Sequence, residues 1–165
     1  MFESAPDYVR GKLVKPSEVE ELSKKIKETK TLVSLNGSFD LLHAGHLEIL
    51  REAKKQGDCL IVALNSDESI KRYKDTSRPL IPLKYRLQML SAISFVDYVT
   101  WFEEDDPIKV LSLIKPNVHV NGSEYGKDCL ESKTIHENGG RIHIVELVKG
   151  LSTSQIIEKI KEICV

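Results

Sequence analysis

Thr31-Leu32-Val33-Ser34-Leu35-Asn36-Gly37-Ser38-Phe39-Asp40-Leu41-Leu42-His43-Ala44-Gly45-His46 is the stretch on which the fold turns. The apolar run from Thr31 to Leu35 predicts a buried strand. Leu47, Leu50 and Ala53, beyond the histidines, fall at the i, i+3 spacing of a helix. A small polar turn lies between them. His43 and His46 stand at i, i+3, so on a helix they share a face. A helix that begins near Ala44 puts both imidazoles at its first turn, where unpaired backbone N–H groups and the dipole favour an anion. Gly45, between the histidines, has no side chain to hold a ligand off the backbone. The stretch therefore predicts a phosphate site at the carboxyl end of a first strand.

Working outward, Gly57-Asp58 marks a turn and Cys59 to Leu64 a second strand, a continuous apolar run of the kind found in parallel sheets covered on both faces. Strand, helix and strand make one βαβ unit. Upstream, Met1 to Lys15 reads as an extended arm. Pro16-Ser17 reads as the cap of a charged helix over Glu18 to Lys30, with Val19, Leu22 and Ile26 as its apolar stripe. Downstream, Asn65-Ser66-Asp67 closes the second strand at the end where open α/β sheets bind ligands. Lys71 to Pro79, basic and polar, predicts a loop or short frayed helix. Pro82 opens a helix to about Ile93, Val96 to Phe102 is a third strand, and Pro107 starts a helix that stops before Pro116. Val118-His119-Val120 is a fourth strand running into a loop over Asn121 to Gly126. Lys127 to Glu137 reads as a helix capped by Asn138-Gly139-Gly140, and Arg141 to Leu147 as a fifth strand. Gly150 to Ser154 leads into a last amphipathic helix carrying Ile156, Ile157, Ile160 and Ile163. This alternation predicts a doubly wound, Rossmann-like α/β fold with a parallel five-stranded sheet. A single domain over residues 1–165 is expected, with 1–30 as arm and packing helix and 31–165 as the core.

Composition narrows the function. At 165 residues, 41% apolar and 30% charged, the chain has the make-up of an ordinary globular protein. A net charge of −1 gives no broad surface for nucleic acid, so cations at a phosphate site must be local. No apolar run approaches the ~20 residues of a membrane span, and Met1 to Lys15 lacks the apolar core of a secretory leader. Cys59, Cys129 and Cys164, odd in number and far apart, fit reduced thiols of a cytoplasmic protein. The glycosylation sequons Asn36-Gly37-Ser38 and Asn121-Gly122-Ser123 then read as accidents of Gly-containing loops. The chain contains no G-x-G-x-x-G and no G-x-x-x-x-G-K-[ST], so neither a dinucleotide oxidoreductase nor a P-loop enzyme is supported. Zinc hydrolases place their helical histidines at i, i+4 around a glutamate, whereas Ala44 and Gly45 separate His43 from His46.

His43-Ala44-Gly45-His46 after a strand resembles the H-x-G-H signature of the nucleotidyltransferase superfamily that includes the cytidylyltransferases. Asn36 to Gln56 is similar in particular to the adenylyltransferase branch that makes ADP-heptose from D-glycero-β-D-manno-heptose 1-phosphate. Gly150-Leu151-Ser152-Thr153-Ser154-Gln155-Ile156-Ile157 resembles a second family signature, G-x-S-T-T-x-I-I, with Ser154 in place of a threonine. Alone, those hydroxyls would pass for an ordinary helix N-cap. Ser77 to Leu83 with Arg86, and Trp101 to Pro107, also resemble the heptose branch. The acidic run Glu103 to Asp106 by itself reads as helix-start carboxylates before Pro107. Val120-Asn121-Gly122-Ser123-Glu124-Tyr125 departs from that branch's V-K-G-G-D-Y at Asn121, Ser123 and Glu124.

The resemblance implies a nucleotidyltransferase-type fold and transfer of a nucleotidyl group from ATP to a sugar 1-phosphate, giving ADP-heptose and pyrophosphate for lipopolysaccharide core synthesis. It implies catalytic roles for His43, His46, Lys71 and Arg86. It implies nucleotide contacts from Asn36, Gly37, Ser38, Phe39, Gly45, Asn121, Gly122, Tyr125, Ser152, Thr153 and Ser154. Acceptor contacts fall to Asp40, Lys71, Lys74 and Arg78. Asp40 has two readings, orienting the acceptor or holding the turn. Mg²⁺ is expected mainly on the nucleotide phosphates, with no metal site of the protein's own. Homodimerisation, a separate sugar kinase and no nucleic-acid or membrane partner are also expected. Two rivals stay open: a CTP-dependent transferase for glycerol 3-phosphate or a similar small phosphate, and a nucleotide-binding regulatory module without turnover.

Overall fold

A computed structural model describes residues 7–74, 76–126, 128–146, 150 and 152–164. Five strands form one parallel sheet in the order β3-β2-β1-β4-β5. They are β1 (Leu32–Gly37), β2 (Cys59–Asn65), β3 (Tyr98–Phe102), β4 (Val118–Gly122) and β5 (Arg141–Val145). Between and around them run α1 (Asp7–Arg10), α2 (Val19–Lys27), α3 (Ala44–Lys54), α4 (Asp67–Tyr73), α5 (Leu83–Ser91), α6 (Ile108–Ile114), α7 (Ser132–Glu137) and α8 (Thr153–Ile163).

The strands are long apolar runs because both faces are covered. β2 is buried at every position, and its register pairs Leu32 with Cys59 through Gly37 with Leu64. Alternate residues feed opposite layers. Val33, Leu35, Leu60, Val62, Leu64 and Val120 pack with Leu50 and Ala53 of α3 and Leu87 and Leu90 of α5. Leu32, Ile61 and Ala63 pack with Val19 and Ile26 of α2, Val110 and Leu111 of α6 and Ile135 of α7. The sheet is therefore doubly wound, and its direction changes between β1 and β4, so the crevice for a ligand opens at their carboxyl ends. At the β3 edge, Val14 N–H donates to Val99 O and Val99 N–H to Lys12 O, both at 2.9 Å, so residues 12–14 extend the sheet by a short parallel bridge.

Several sequence expectations move. The helix expected over Glu18 to Lys30 is shorter, and its N-cap is Glu18 rather than Ser17. Residues up to Tyr73 of the basic segment belong to α4, whose N-cap Ser66 accepts a hydrogen bond from Ser69 N–H at 3.1 Å. The helix expected over Lys127 to Glu137 is assigned only from Ser132, and Glu124, Tyr125, Cys129, Leu130 and Glu131 before it line the cleft. Met1 to Pro6 of the arm, Asp75, Lys127, Leu147 of the fifth strand and Leu151 of the second signature lie outside the described residues.

Candidate active site

The β1–α3 turn is the centre of a cleft of about 870 Å³ at the carboxyl ends of the strands. His43 is the N-cap of α3 in extended conformation, and Gly45 and His46 follow in its first turn. The two imidazoles stack with centroids 3.8 Å apart and planes at 22°. His43 N–H donates to His46 Nδ1 at 3.4 Å, which assigns the proton of the neutral His46 ring to Nε2. Burial, with the adjoining His43 and Lys74, pushes His46 down to about 4, and burial also lowers His43. Both rings are thus neutral at pH 7 before an anion arrives. Phe39 packs on His46 at 5.1 Å between centroids and holds a left-handed backbone, φ 46°.

Gly37 and Ser38 line the cleft above that turn. Asn36 lines it too, and its buried Oδ1 has no hydrogen-bond partner among the described residues; the same is true of His43 Nδ1. Lys74 donates to Ser38 Oγ at 3.0 Å, with its ammonium depressed by burial and by Arg78 and Arg86. Across the opening, Ser152 caps α8, accepting from Gln155 N–H at 3.2 Å, and Ser152, Thr153 and Ser154 all line the cleft. Two helix N-termini from distant parts of the chain therefore open on one space. Each offers unpaired N–H groups and a positive dipole end, and together they suit a chain of phosphates.

Four expected site residues have partners that the sequence did not name, and one of them, Asp40, holds the turn as the second of its two readings had it. Asp40 is 1% exposed, with Oδ2 accepting from Arg78 Nε at 2.7 Å and Oδ1 from Ile81 N–H at 2.9 Å. Both oxygens hold the turn against the segment that precedes α5. Arg78 is thereby tied to Asp40 while still lining the cleft. Arg86 is 0% exposed and is not among the cleft's lining residues. It donates to Ile81 O at 2.9 Å, Ser38 O at 2.6 Å, Asn65 O at 2.9 Å and Asp67 Oδ1 at 2.7 Å, so it joins the turn, the end of β2 and the start of α4 from beneath. Lys71 points along α4 to Glu68 Oε1 at 2.7 Å, outside the cleft.

On the β4 side, Asn121, Gly122 and Tyr125 line the cleft as expected, and Glu124, Cys129, Leu130 and Glu131 join them. Asn121 Nδ2 donates toward Cys129 Sγ at 3.2 Å and Glu131 Oε2 at 3.4 Å. Asn65, Tyr73, Asp105 and Asp106 complete the opposite rim. The acidic run partly meets its expected role, since Asp106 Oδ1 accepts from Ile108 N–H at 3.0 Å. Nothing in the pattern around Tyr73 or Glu131 marked them as cleft residues.

The bifunctional protein HldE of Syntrophotalea carbinolica is 45% identical over 132 residues, 79% of this chain and 27% of that protein. HldE of Helicobacter pylori is 48% identical over 134 residues, 81% of this chain and 28% of that protein. The chain thus spans little more than a quarter of the length of these curated relatives. Among solved structures, a lipopolysaccharide core biosynthesis protein from Thermoplasma volcanium superposes with a TM-score of 0.59 at 29% identity, covering 73% of this chain and 98% of that one. Pantoate-beta-alanine ligase from Francisella tularensis, complexed with an ATP form and beta-alanine, superposes at 0.58 with 16% identity over 93% of this chain and 78% of its own, a likeness of fold alone. The cytidylyltransferase-like family matches residues 34–161, the span from β1 to α8 that brings both helix N-termini to the cleft, and the chain belongs to that family.

Proposed function

We propose that the protein transfers an adenylyl group from ATP to a sugar 1-phosphate, D-glycero-β-D-manno-heptose 1-phosphate, releasing pyrophosphate and ADP-heptose for lipopolysaccharide core synthesis. The observation that carries this reading is the convergence of the α3 and α8 N-termini, with Lys74 and Arg78, on one cleft. The relatives named HldE and the lipopolysaccharide core biosynthesis protein support the choice of acceptor.

The acceptor phosphate is ionised at pH 7 and is its own nucleophile, so no general base is needed and rate comes from positioning and charge stabilisation. It would attack the α-phosphorus in line with the departing pyrophosphate. The P–O bond to the sugar phosphate forms as the α–β bridge bond breaks, and the electron pair leaves on pyrophosphate. His43 and His46 would donate to the α-phosphate, where charge grows. Ser152, Thr153 and the α8 amides would hold the β- and γ-phosphates. Lys74 and Arg78 would receive the acceptor phosphate. Arg86 and Asp40 would act as positioning residues that fix the turn. Among the described residues no group of three or more His, Cys, Asp or Glu is arranged to hold a metal. Mg²⁺ would come mainly on the nucleotide phosphates, where it offsets their charge.

The reading extends to residues 31–165 as catalytic core, with 1–30 as arm and packing helix, to a homodimer, and to a sugar kinase upstream. It also extends to a cytoplasmic location; among the described residues no helix is long and apolar enough to cross a membrane.

The test is pyrophosphate release with Mg²⁺, crossing ATP and CTP against heptose 1-phosphate and glycerol 3-phosphate. Turnover confined to ATP with heptose 1-phosphate is expected. Turnover with CTP and glycerol 3-phosphate would make the chain a cytidylyltransferase, and tight nucleotide binding without release would make it a binding module.

A further inference from the structure

The cleft's cations stand on one side. On the α3, α4 and α8 side it carries His43, His46, Lys74, Arg78 and the Ser152 to Ser154 hydroxyls, and the carboxylates of that rim are engaged, Asp105 by Arg72 and Asp106 by Ile108 N–H. On the β4–α7 side its described lining residues include no cation; they include Glu124, Tyr125, Leu130 and Glu131. A triphosphate belongs to the first side. The uncharged end of a nucleotide, bound with its phosphates there, extends to the second.

Glu131 stands out on that second side. It is 7% exposed, yet it lines the cleft. It is the residue before α7, but its side chain makes no capping bond to that helix. It turns back to the end of β4, where Asn121 Nδ2 lies 3.4 Å from Oε2. A carboxylate has about four acceptor positions; the long bond from Asn121 and the neighbouring Cys129 thiol take two of them, His119 is near enough to feel the charge, and the rest are left for a ligand. Burying a carboxylate is costly unless donors meet it, so this residue favours an occupant that donates. Tyr125, 62% exposed, lines the same part of the cleft and is near enough to Glu131 and Glu124 that their charges add to burial in raising its phenol. An exposed ring offers a face for stacking, and the adjoining carboxylate takes an N–H or O–H.

We infer that Glu131 is a specificity-determining residue that holds the nucleoside end of the nucleotide, accepting a hydrogen bond from a donor that the triphosphate lacks. The inference rests on the nucleotidyltransferase reading of the cleft. The donor is either the amino group of the base or a ribose hydroxyl, and these are separable.

The experiment is calorimetric titration of the full chain, with Mg²⁺, by ATP, inorganic tripolyphosphate, purine riboside triphosphate, 2′-deoxy-ATP and 3′-deoxy-ATP. Glu131→Ala is expected to weaken ATP about tenfold or more, the scale of a lost hydrogen bond to a charged group, and to leave tripolyphosphate within about twofold. Wild type is expected to bind at least one of the three nucleoside analogues about tenfold more weakly than ATP, and Glu131→Ala to bind that analogue and ATP alike. Loss with the purine analogue identifies the base amino group; loss with a deoxy analogue identifies the ribose. Glu131→Gln, which keeps the volume of the side chain, should shift ATP in the same direction by less and serves if the alanine variant does not fold. Equal losses for ATP and tripolyphosphate would make Glu131 merely structural and overturn the inference. So would a wild type that binds all three analogues as tightly as ATP. A wild type that binds tripolyphosphate but no nucleotide would overturn the function proposed for the cleft as well.

Discussion

His46 carries the most consequence for a single side chain. It stacks on His43, packs on Phe39 and faces the cleft. Losing one donor to charge in a transition state costs roughly 10²–10³ in turnover. His46→Ala should therefore lose at least that much pyrophosphate release while its circular dichroism stays that of the wild type; near-normal turnover would remove the ring from the reaction. Its titration makes a second prediction. Burial, with His43 and Lys74 next, pushes the folded ring down to about 4 from the ordinary 6.5. Above pH 6.5 the ring is neutral in both the folded and the unfolded chain. Between about 4 and 6.5 the unfolded chain takes a proton that the folded one refuses. Stability from this residue is thus full above 6.5 and falls as pH drops to 4, by on the order of 2 kcal/mol. His43, His119 and His143, all lowered by burial, slope the same way, so the measurement is a difference. Urea unfolding of wild type and His46→Gln should converge as pH falls from 6.5 to 4. Parallel curves would mean that the ring is not held neutral.

At the scale of elements, the β1–α3 turn is strained and supported from below. Phe39 at φ 46° is costly for a bulky residue, by about 1–3 kcal/mol. Arg86 on Ser38 O and Asp40 on Arg78 and Ile81 over-determine that conformation. Arg86→Met takes the guanidinium from three carbonyls and from Asp67, which keeps only Leu83 N–H among the described residues, and should cost about 3–5 kcal/mol, a fall in Tm of roughly 6–20 °C. Lys71→Ala removes only an exposed pair with Glu68 and should leave pyrophosphate release within about twofold. The reverse ranking in thermal melts and turnover would restore Lys71 and Arg86 to the roles their sequence suggests. At the C-cap of α6, Lys115 also has φ 46°, so Lys115→Gly should raise stability by about 1 kcal/mol in the same melts. The strands, α3 and the start of α8 were legible because apolar runs, i, i+3 spacing and capping hydroxyls are local signals. Arg86 was not. Its acceptors are the carbonyls of Ser38, Asn65 and Ile81, and a backbone carbonyl leaves no trace in a sequence. Lys71 and Lys74 looked equivalent in a basic segment. Only the end of α4 at Tyr73, and Glu68 one turn before Lys71, decide which of the two reaches the cleft.

Over the whole molecule, the site joins the first strand of the sheet to the last helix. The core, from β1 outward, is buried on both faces, whereas no residue of α8 is buried despite its row of isoleucines. Local stability follows buried contacts, so α8 should open at lower free energy than β1, β2 or α3. Its N-terminus nevertheless lines the cleft through Ser152, Thr153 and Ser154. A triphosphate held at once by α3 and α8 would bind only the state in which both are docked. By mass action, ATP with Mg²⁺ at a hundred times its Kd should stabilise that state by about 2.7 kcal/mol. The stabilisation should reach every element whose opening releases the ligand. Amide exchange in α8 should slow by up to a hundredfold, because its opening now has to release the ligand. Amides of β1 and β2, which exchange by global unfolding, should slow by the same factor, whereas segments that open with the ligand in place should not change. AMP, which lacks the β- and γ-phosphates that α8 would hold, should protect α3 and leave α8 nearly unchanged. Equal protection of α8 by AMP and ATP would place the β- and γ-phosphates elsewhere in the cleft.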